Sequence, residues 1–329
     1  MGLYFFFNSY AGMLVVQSVL HSLIAMVISN LAVSAWHIKN PVVKQRFYFF
    51  VILAPVFSFQ LFHALRPERG SIAFRSGALF DSMRWLNLEI MGTVPFGLLL
   101  LLLLILTSLI FLFQEFLPVL KQTFSRRIPD MENASPVPDF RINEALKSLP
   151  GKNPEVHVIM EDDLLLFSRV GKSPAIFIST GLLKGLGNEG LRAALAHEIA
   201  HIRRSRRPIL VIVFILRMVM FYNPVVLLEF RRIVQEEEKI CDDTSVLITG
   251  DRPALAEALA GFHYEASPRS GAGPGMSGIW AAIEKYSHNF LLDSRIRRLA
   301  EECPDGEEAH FFKLLLTFLA ILSLSYLVV

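Results

Sequence analysis

His197-Glu198-Ile199-Ala200-His201 is the stretch that decides the reading of this chain. At about 3.6 residues per turn, positions i and i+4 stack on one helix face, so two imidazole nitrogens converge on one ion. Glu198 lies slightly aside, where its carboxylate reaches a metal-bound water rather than the metal, as a general base must. Leu191 to Ala196 lead in with strong helix formers, and Gly187 or Asn188 offers a cap. Glu189 sits in the first turn, where the helix dipole favours an anion. The competing reading is a surface helix that exposes two histidines.

A catalytic zinc takes three protein ligands and keeps a further position open for water. Gln235-Glu236-Glu237-Glu238-Lys239-Ile240-Cys241-Asp242-Asp243 supplies the missing one, with Glu238 and Asp242 again one turn apart. Glu238 is the candidate ligand. Asp242, on the same face, is the candidate acceptor that fixes a ligand imidazole's tautomer and raises its basicity. Alone, the stretch would read as a solvated acidic face. Glu237 with Cys241 is a competing register at the same spacing, and Cys241 is itself a possible soft ligand.

With these residues in place the chain resembles the membrane-bound zinc endopeptidases of the glutamate-zincin type, in particular the BlaR/MecR family of β-lactam sensor-transducers. Ala175-Ile176-Phe177-Ile178-Ser179-Thr180-Gly181-Leu182-Leu183 is similar to the strand and turn before that family's active-site helix, and Ala194 to Arg204 to the helix itself. Phe221-Tyr222-Asn223-Pro224 resembles its aromatic-Asn-Pro break. Glu238 to Asp243 resembles its third-ligand helix, and Ser294-Arg295-Ile296-Arg297-Arg298-Leu299 its closing basic helix. The CAAX prenyl endopeptidases are more distantly similar; they carry Ala-Asp where this chain has Cys241-Asp242. The resemblance implies a multi-pass α-helical membrane protein with an α+β zincin-type metallopeptidase domain and one Zn2+ per chain. In the sensor-transducers a penicillin-binding domain follows the last span; this sequence stops at Val329, so β-lactam sensing of that kind is not expected.

Composition sets the environment: 53% hydrophobic residues and 27 Phe are too apolar for an ordinary soluble domain. Spans are expected at Met13 to Trp36, Phe47 to Leu65, Ile90 to Phe113 and Phe311 to Val329. The first segment lacks a basic n-region and a cleavage site, so it reads as retained. His21 and His63 fall within spans, where a lone imidazole facing a neighbouring helix is the plainer reading of each. Lys39, Lys44 and Arg46 fill the first loop and Lys121, Arg126 and Arg127 follow the third span, which assigns both flanks to the cytoplasm, although the second loop also carries arginines. The expected organisation is therefore a membrane region over 1–115, a cytosolic peptidase domain over 116–310, and a last helix over 311–329. Cys241 and Cys303 agree with a reducing compartment.

Ile209 to Tyr222 is apolar but is no single crossing, because a crossing would put Glu238 across the bilayer from His197 and His201. At about fourteen residues it is also short of the roughly twenty that span. The segment 208–230 is expected to pack on or dip into the membrane. Arg203, Arg204, Arg206 and Arg207 would then sit among anionic headgroups rather than on nucleic acid, close to a zinc that serves membrane-tethered or membrane-delivered substrates.

Val156-His157-Val158-Ile159, Leu164-Leu165-Leu166-Phe167 and Ala175-Ile176-Phe177-Ile178 read as short strands, and Ala175 to Ser179 reads either as an edge that pairs with an extended substrate or, equally well, as an internal strand that pairs only with its neighbours. A linker is marked by Ser135 to Pro138, and a flexible loop by Ser267 to Gly275. In the expected mechanism zinc lowers the pKa of its water to about 7 and polarises the scissile carbonyl, while Glu198 takes the proton and returns it to the leaving amine. His288, His263 and Tyr264 are candidate oxyanion donors, and His157 an exposed strand residue. Two functions follow. One is an endopeptidase acting on a cytosolic regulator or a membrane protein. The other is a latent or non-catalytic transducer working through a separate sensor or regulator, which Glu198 disfavours because a binding module has no use for a base.

Overall fold

The computed structural model describes residues 6–7, 9–90, 92–117, 139–151, 153–171, 173–204, 209–265, 292–301 and 311–329. The chain divides into two units, one of Met1–Leu117, Leu210–Ile233 and Gly306–Val329, the other of Pro118–Ile209 and Val234–Asp305.

In the first unit, α1 (Tyr10–Ala35) starts where Ser9 accepts the Gly12 N–H, and α2 (Pro41–Leu65) where Asn40 accepts those of Val42 and Val43 with proline at the first turn. Ser18, Ser22, Ala25 and Ser29 form a buried stripe of small residues on α1, at three- and four-residue spacing, and this lets neighbouring backbones approach. His21 Nδ1 lies 2.6 Å from the Ser58 hydroxyl of α2, the expected imidazole-to-helix contact. Among the described residues three helices are long and apolar enough to cross a membrane: Tyr10–Ala35, Pro41–Leu65 and Phe96–Gln114. The expected third span starts later than Ile90. Glu89–Ile90 (β1) and Val94–Pro95 (β2) form an antiparallel hairpin instead, turning through Gly92 at φ +71°, and Pro95 ends it before α5 (Phe96–Phe111) begins. Two shorter helices, α3 (Ile72–Ser76) and α4 (Ser82–Leu86), lie between α2 and that hairpin.

The second unit opens with α6 (Phe140–Lys147), capped by Asp139, and a sheet of β3 (Glu155–Ile159), β4 (Leu166–Arg169) and β5 (Ala175–Ser179) in the order β3-β5-β4. β5 pairs parallel with β3 and antiparallel with β4, and all five of its residues are buried. Of the two readings of Ala175 to Ser179, the internal strand holds and the substrate-pairing edge does not: both of its hydrogen-bonding edges are taken. His157 is not an exposed strand residue either; it is half-buried and stacks on Phe177 at 5.1 Å between centroids.

Ser179 ends β5 and starts α7 (Thr180–Gly185), its hydroxyl accepting the Leu182 and Leu165 N–H groups and donating to the Asp163 carbonyl. Gly181 is required there, since a Cβ would stand 2.0 Å from the Asp162 carbonyl oxygen. α8 (Asn188–Arg204) follows, with the Gly187 carbonyl accepting the Leu191 N–H. Leu191, Ala194, Leu195 and Ile199 turn one face of α8 into the core shared with Ile176, Ile178 and Leu182.

α9 (Ile209–Val219) is only 11 residues long, and Asn223 closes the turn after it. Its side-chain oxygen accepts the Val225 and Val226 N–H groups to cap α10 (Pro224–Thr249), while its amide donates to Ser22 at 2.9 Å. α10 contributes to both units. α11 (Arg252–Glu265) and α12 (Leu292–Ala300) pack together through Leu255, Leu259, Ile296 and Leu299. α13 (Phe311–Tyr326), 16 residues long, packs on α1 and α2.

Candidate metal centre

Away from its core leucines α8 carries small residues at Ala193 and Ala200, and α10 approaches there closely enough for the Ser245 hydroxyl to donate to the Ala193 carbonyl at 3.0 Å. Along this contact α8 presents His197 and His201, and α10 presents Glu238, Cys241 and Asp242. The Nε2 atoms of the two histidines are 3.0 Å apart. Glu238 Oε2 is 3.6 Å from His197 Nε2 and its Oε1 is 3.5 Å from His201 Nε2. One ligand atom from each of the three residues lies within 4.8 Å of the others.

Behind the ligands stand two different supports. Asp242 Oδ1 is 3.1 Å from His197 Nδ1, and Cys241 Sγ is 3.5 Å from His201 Nδ1. Cys241 therefore backs a ligand from its far ring nitrogen rather than facing the Nε2 atoms. The competing register fails for a further reason: Glu237 turns to Arg204 and accepts two hydrogen bonds, 2.5 and 2.7 Å long. Glu198, 3% exposed, sits between the histidines on α8.

Arg295 was not singled out by sequence reasoning. It comes from α12, is 4% exposed, and donates to both oxygens of Asp242 at 2.8 and 2.6 Å while its Nη1 reaches Glu238 Oε2 at 2.9 Å. A signal was present: Leu292, Ile296 and Leu299 make one apolar face at helical spacing, and Arg295 is the charged residue on it.

Electrostatics follow from this packing. Burial pushes the Asp242 carboxyl up, but the Arg295 guanidinium outweighs it and holds the group down at about 2. Glu238, equally buried, is held well below the usual carboxylate range by His201 and Arg295. Burial lowers His201, yet Cys241 and Glu238 raise it well above the ordinary imidazole value. Burial raises the Cys241 thiol, with His201 opposing. The Arg295 guanidinium is driven higher still by the two carboxylates, against its own desolvation.

A divalent metal fits this donor set. The two Nε2 atoms, 3.0 Å apart, and the two oxygens of Glu238, 3.6 and 3.5 Å from them, are ligand-type atoms brought to one point from two helices. Two imidazoles and one carboxylate are the ligands zinc takes where a position stays open for water. Of the candidate oxyanion donors, His288 lies outside the described residues; His263 and Tyr264 fall on α11, but their side chains lie outside them too.

The described residues are thus mostly helical, with three helices long and apolar enough to cross a membrane, a small sheet and a cluster that could hold a metal. The chain belongs to the BlaR1 peptidase M56 family, whose model matches residues 88–272. The match takes in His197, Glu198, His201, Glu238 and Asp242; Arg295 lies beyond it. Among curated proteins none matches the chain.

Proposed function

We propose that the protein is a multi-pass, membrane-bound zinc endopeptidase of the zincin type, holding one Zn2+ per chain through His197, His201 and Glu238. The observation that carries this reading is the convergence of those three ligand atoms within 4.8 Å, with Glu198 between the two histidines on one helix. A bound zinc supplies a water acidified to a pKa of about 7 and a Lewis acid for the scissile carbonyl. The chain's own residues do the rest. Glu198 would take the proton of the attacking water and hand it to the leaving amine. Asp242 and Cys241, 3.1 and 3.5 Å from the Nδ1 atoms of His197 and His201, would hold those rings with Nε2 toward the metal.

Peptidase-family membership and the basic loops around the first and third spans support a cytoplasmic-membrane location with the peptidase unit on the cytosolic side. The substrate is then a cytosolic regulator or a membrane protein. A zinc fold used only for binding would not keep a buried carboxylate at Glu198.

The test compares protein N-termini by mass spectrometry in cells expressing the wild type or Glu198→Gln. New N-termini are expected with the wild type alone, at a rate about 10²–10⁴-fold above that with the variant. Identical sets, with zinc present in both proteins, would contradict an active endopeptidase.

A further inference from the structure

We infer that Arg295 is the positioning residue of the metal centre: delivered by α12, its guanidinium grips Glu238 by one oxygen and Asp242 by both, so the site is complete only with that helix docked. The inference rests on the zinc-peptidase reading and deepens it.

Glu238 and Asp242 stand one turn apart on α10, both buried, at 4% and 1% exposure. Two carboxylates so placed repel each other, and a cation that contacts both offsets the repulsion and fixes where each one aims. Arginine suits the position because its charge is permanent and its planar fork contacts two groups at once. Here Nε and Nη2 take Asp242 bidentately while Nη1 takes Glu238 Oε2 at 2.9 Å, leaving Oε1 toward His201. Lysine, a point charge, cannot reproduce that fork.

α12 is only nine residues long, yet it is fastened for this purpose. Leu299 and Ile296 pack among Ala193, Leu255 and Leu259, joining α12 to α8 and α11. Arg298 adds a 2.7 Å contact to Asp243, the residue after Asp242. Arg295 Nη2 also lies 3.4 Å from His197 Nε2, and a cation competing there with the metal is the opposite role. The two roles predict opposite signs.

The experiment measures Zn2+ affinity by chelator competition, and the visible spectrum of the Co2+ form, on the purified full chain in detergent. The proteins are the wild type, Arg295→Met, Arg295→Lys, Glu238→Gln and, as control, the exposed Arg297→Met. Arg295→Met is expected to bind Zn2+ about 10–100-fold more weakly, with a changed Co2+ spectrum; Arg295→Lys falls between, and Arg297→Met matches the wild type. If Arg295→Met does not fold, Arg295→Lys carries the test, with a several-fold loss expected. Wild-type affinity with an unchanged spectrum, or tighter binding, in the Arg295 variant overturns the positioning role. If Glu238→Gln still loses the metal in that case, the zinc-peptidase reading survives. If Glu238→Gln also binds as the wild type does, both readings fall.

Discussion

On α1, in the unit with the three membrane-length helices, buried hydroxyls and an imidazole find near neighbours, His21 with Ser58, Ser18 with Tyr222 and Ser22 with Asn223, and the neutral amide of Gln17 is buried on the same helix. In the peptidase unit, two histidines, Glu198, Glu238, Asp242 and Arg295 gather at the contact of α8, α10 and α12. Neutral hydrogen-bonded groups cost little to bury and hold helices together modestly. Buried carboxylates cost several kcal/mol each, and only a closely placed cation offsets that. The contrast separates polar groups that serve as glue from an ionised cluster built around a charge.

The largest expected break comes from the packing beneath the cluster. Leu195→Ala removes a fully buried side chain from α8 and should destabilise the peptidase unit by about 2–5 kcal/mol, measured by denaturant unfolding. Leu102→Ala on α5, 54% exposed, should change stability by about 0.5 kcal/mol or less. Asp242→Asn comes next. It removes the charge that Arg295 grips and weakens the orientation of His197, so Zn2+ affinity should fall about 10–100-fold by chelator competition.

Acid sharpens the same comparison. Asp242 has an ordinary value of 3.8 and is held at about 2 in the folded protein, so its contribution to stability is complete above the former and lost as pH falls through the latter. At about 1.4 kcal/mol per pKa unit, roughly 2 kcal/mol is at stake. Unfolding of the metal-free protein followed between about pH 5 and pH 2 should show that loss, and Asp242→Asn should lack it. The smallest effect belongs to the membrane unit: Ser58→Ala should cost only about 0.6 kcal/mol in detergent unfolding, despite the short contact to His21.

Local spacing made much of this legible. His197 with His201, and Glu238 with Asp242, are i,i+4 pairs, and a helix face can be read directly from sequence. Three things were not legible for physical reasons. Arg295 lies far along the chain from the residues it grips, and three arginines in Arg295-Ile296-Arg297-Arg298 look alike until the apolar face shows which one points inward. The place of β5 in its sheet depends on which strands flank it; its unbroken run Ala175-Ile176-Phe177-Ile178 was the available sign of a strand covered on both faces. Glu237 and Glu238 differ by one helical step, and only the position of Arg204 shows which of them is committed elsewhere.

The central claim is that His197, His201 and Glu238 hold a zinc ion while Cys241 stands behind it. X-ray absorption at the zinc edge of the purified full chain tests this most directly. A first shell of nitrogen and oxygen at about 2.0–2.2 Å with no sulfur is the result the account predicts. A zinc–sulfur distance of about 2.3 Å would put Cys241 among the ligands and contradict it.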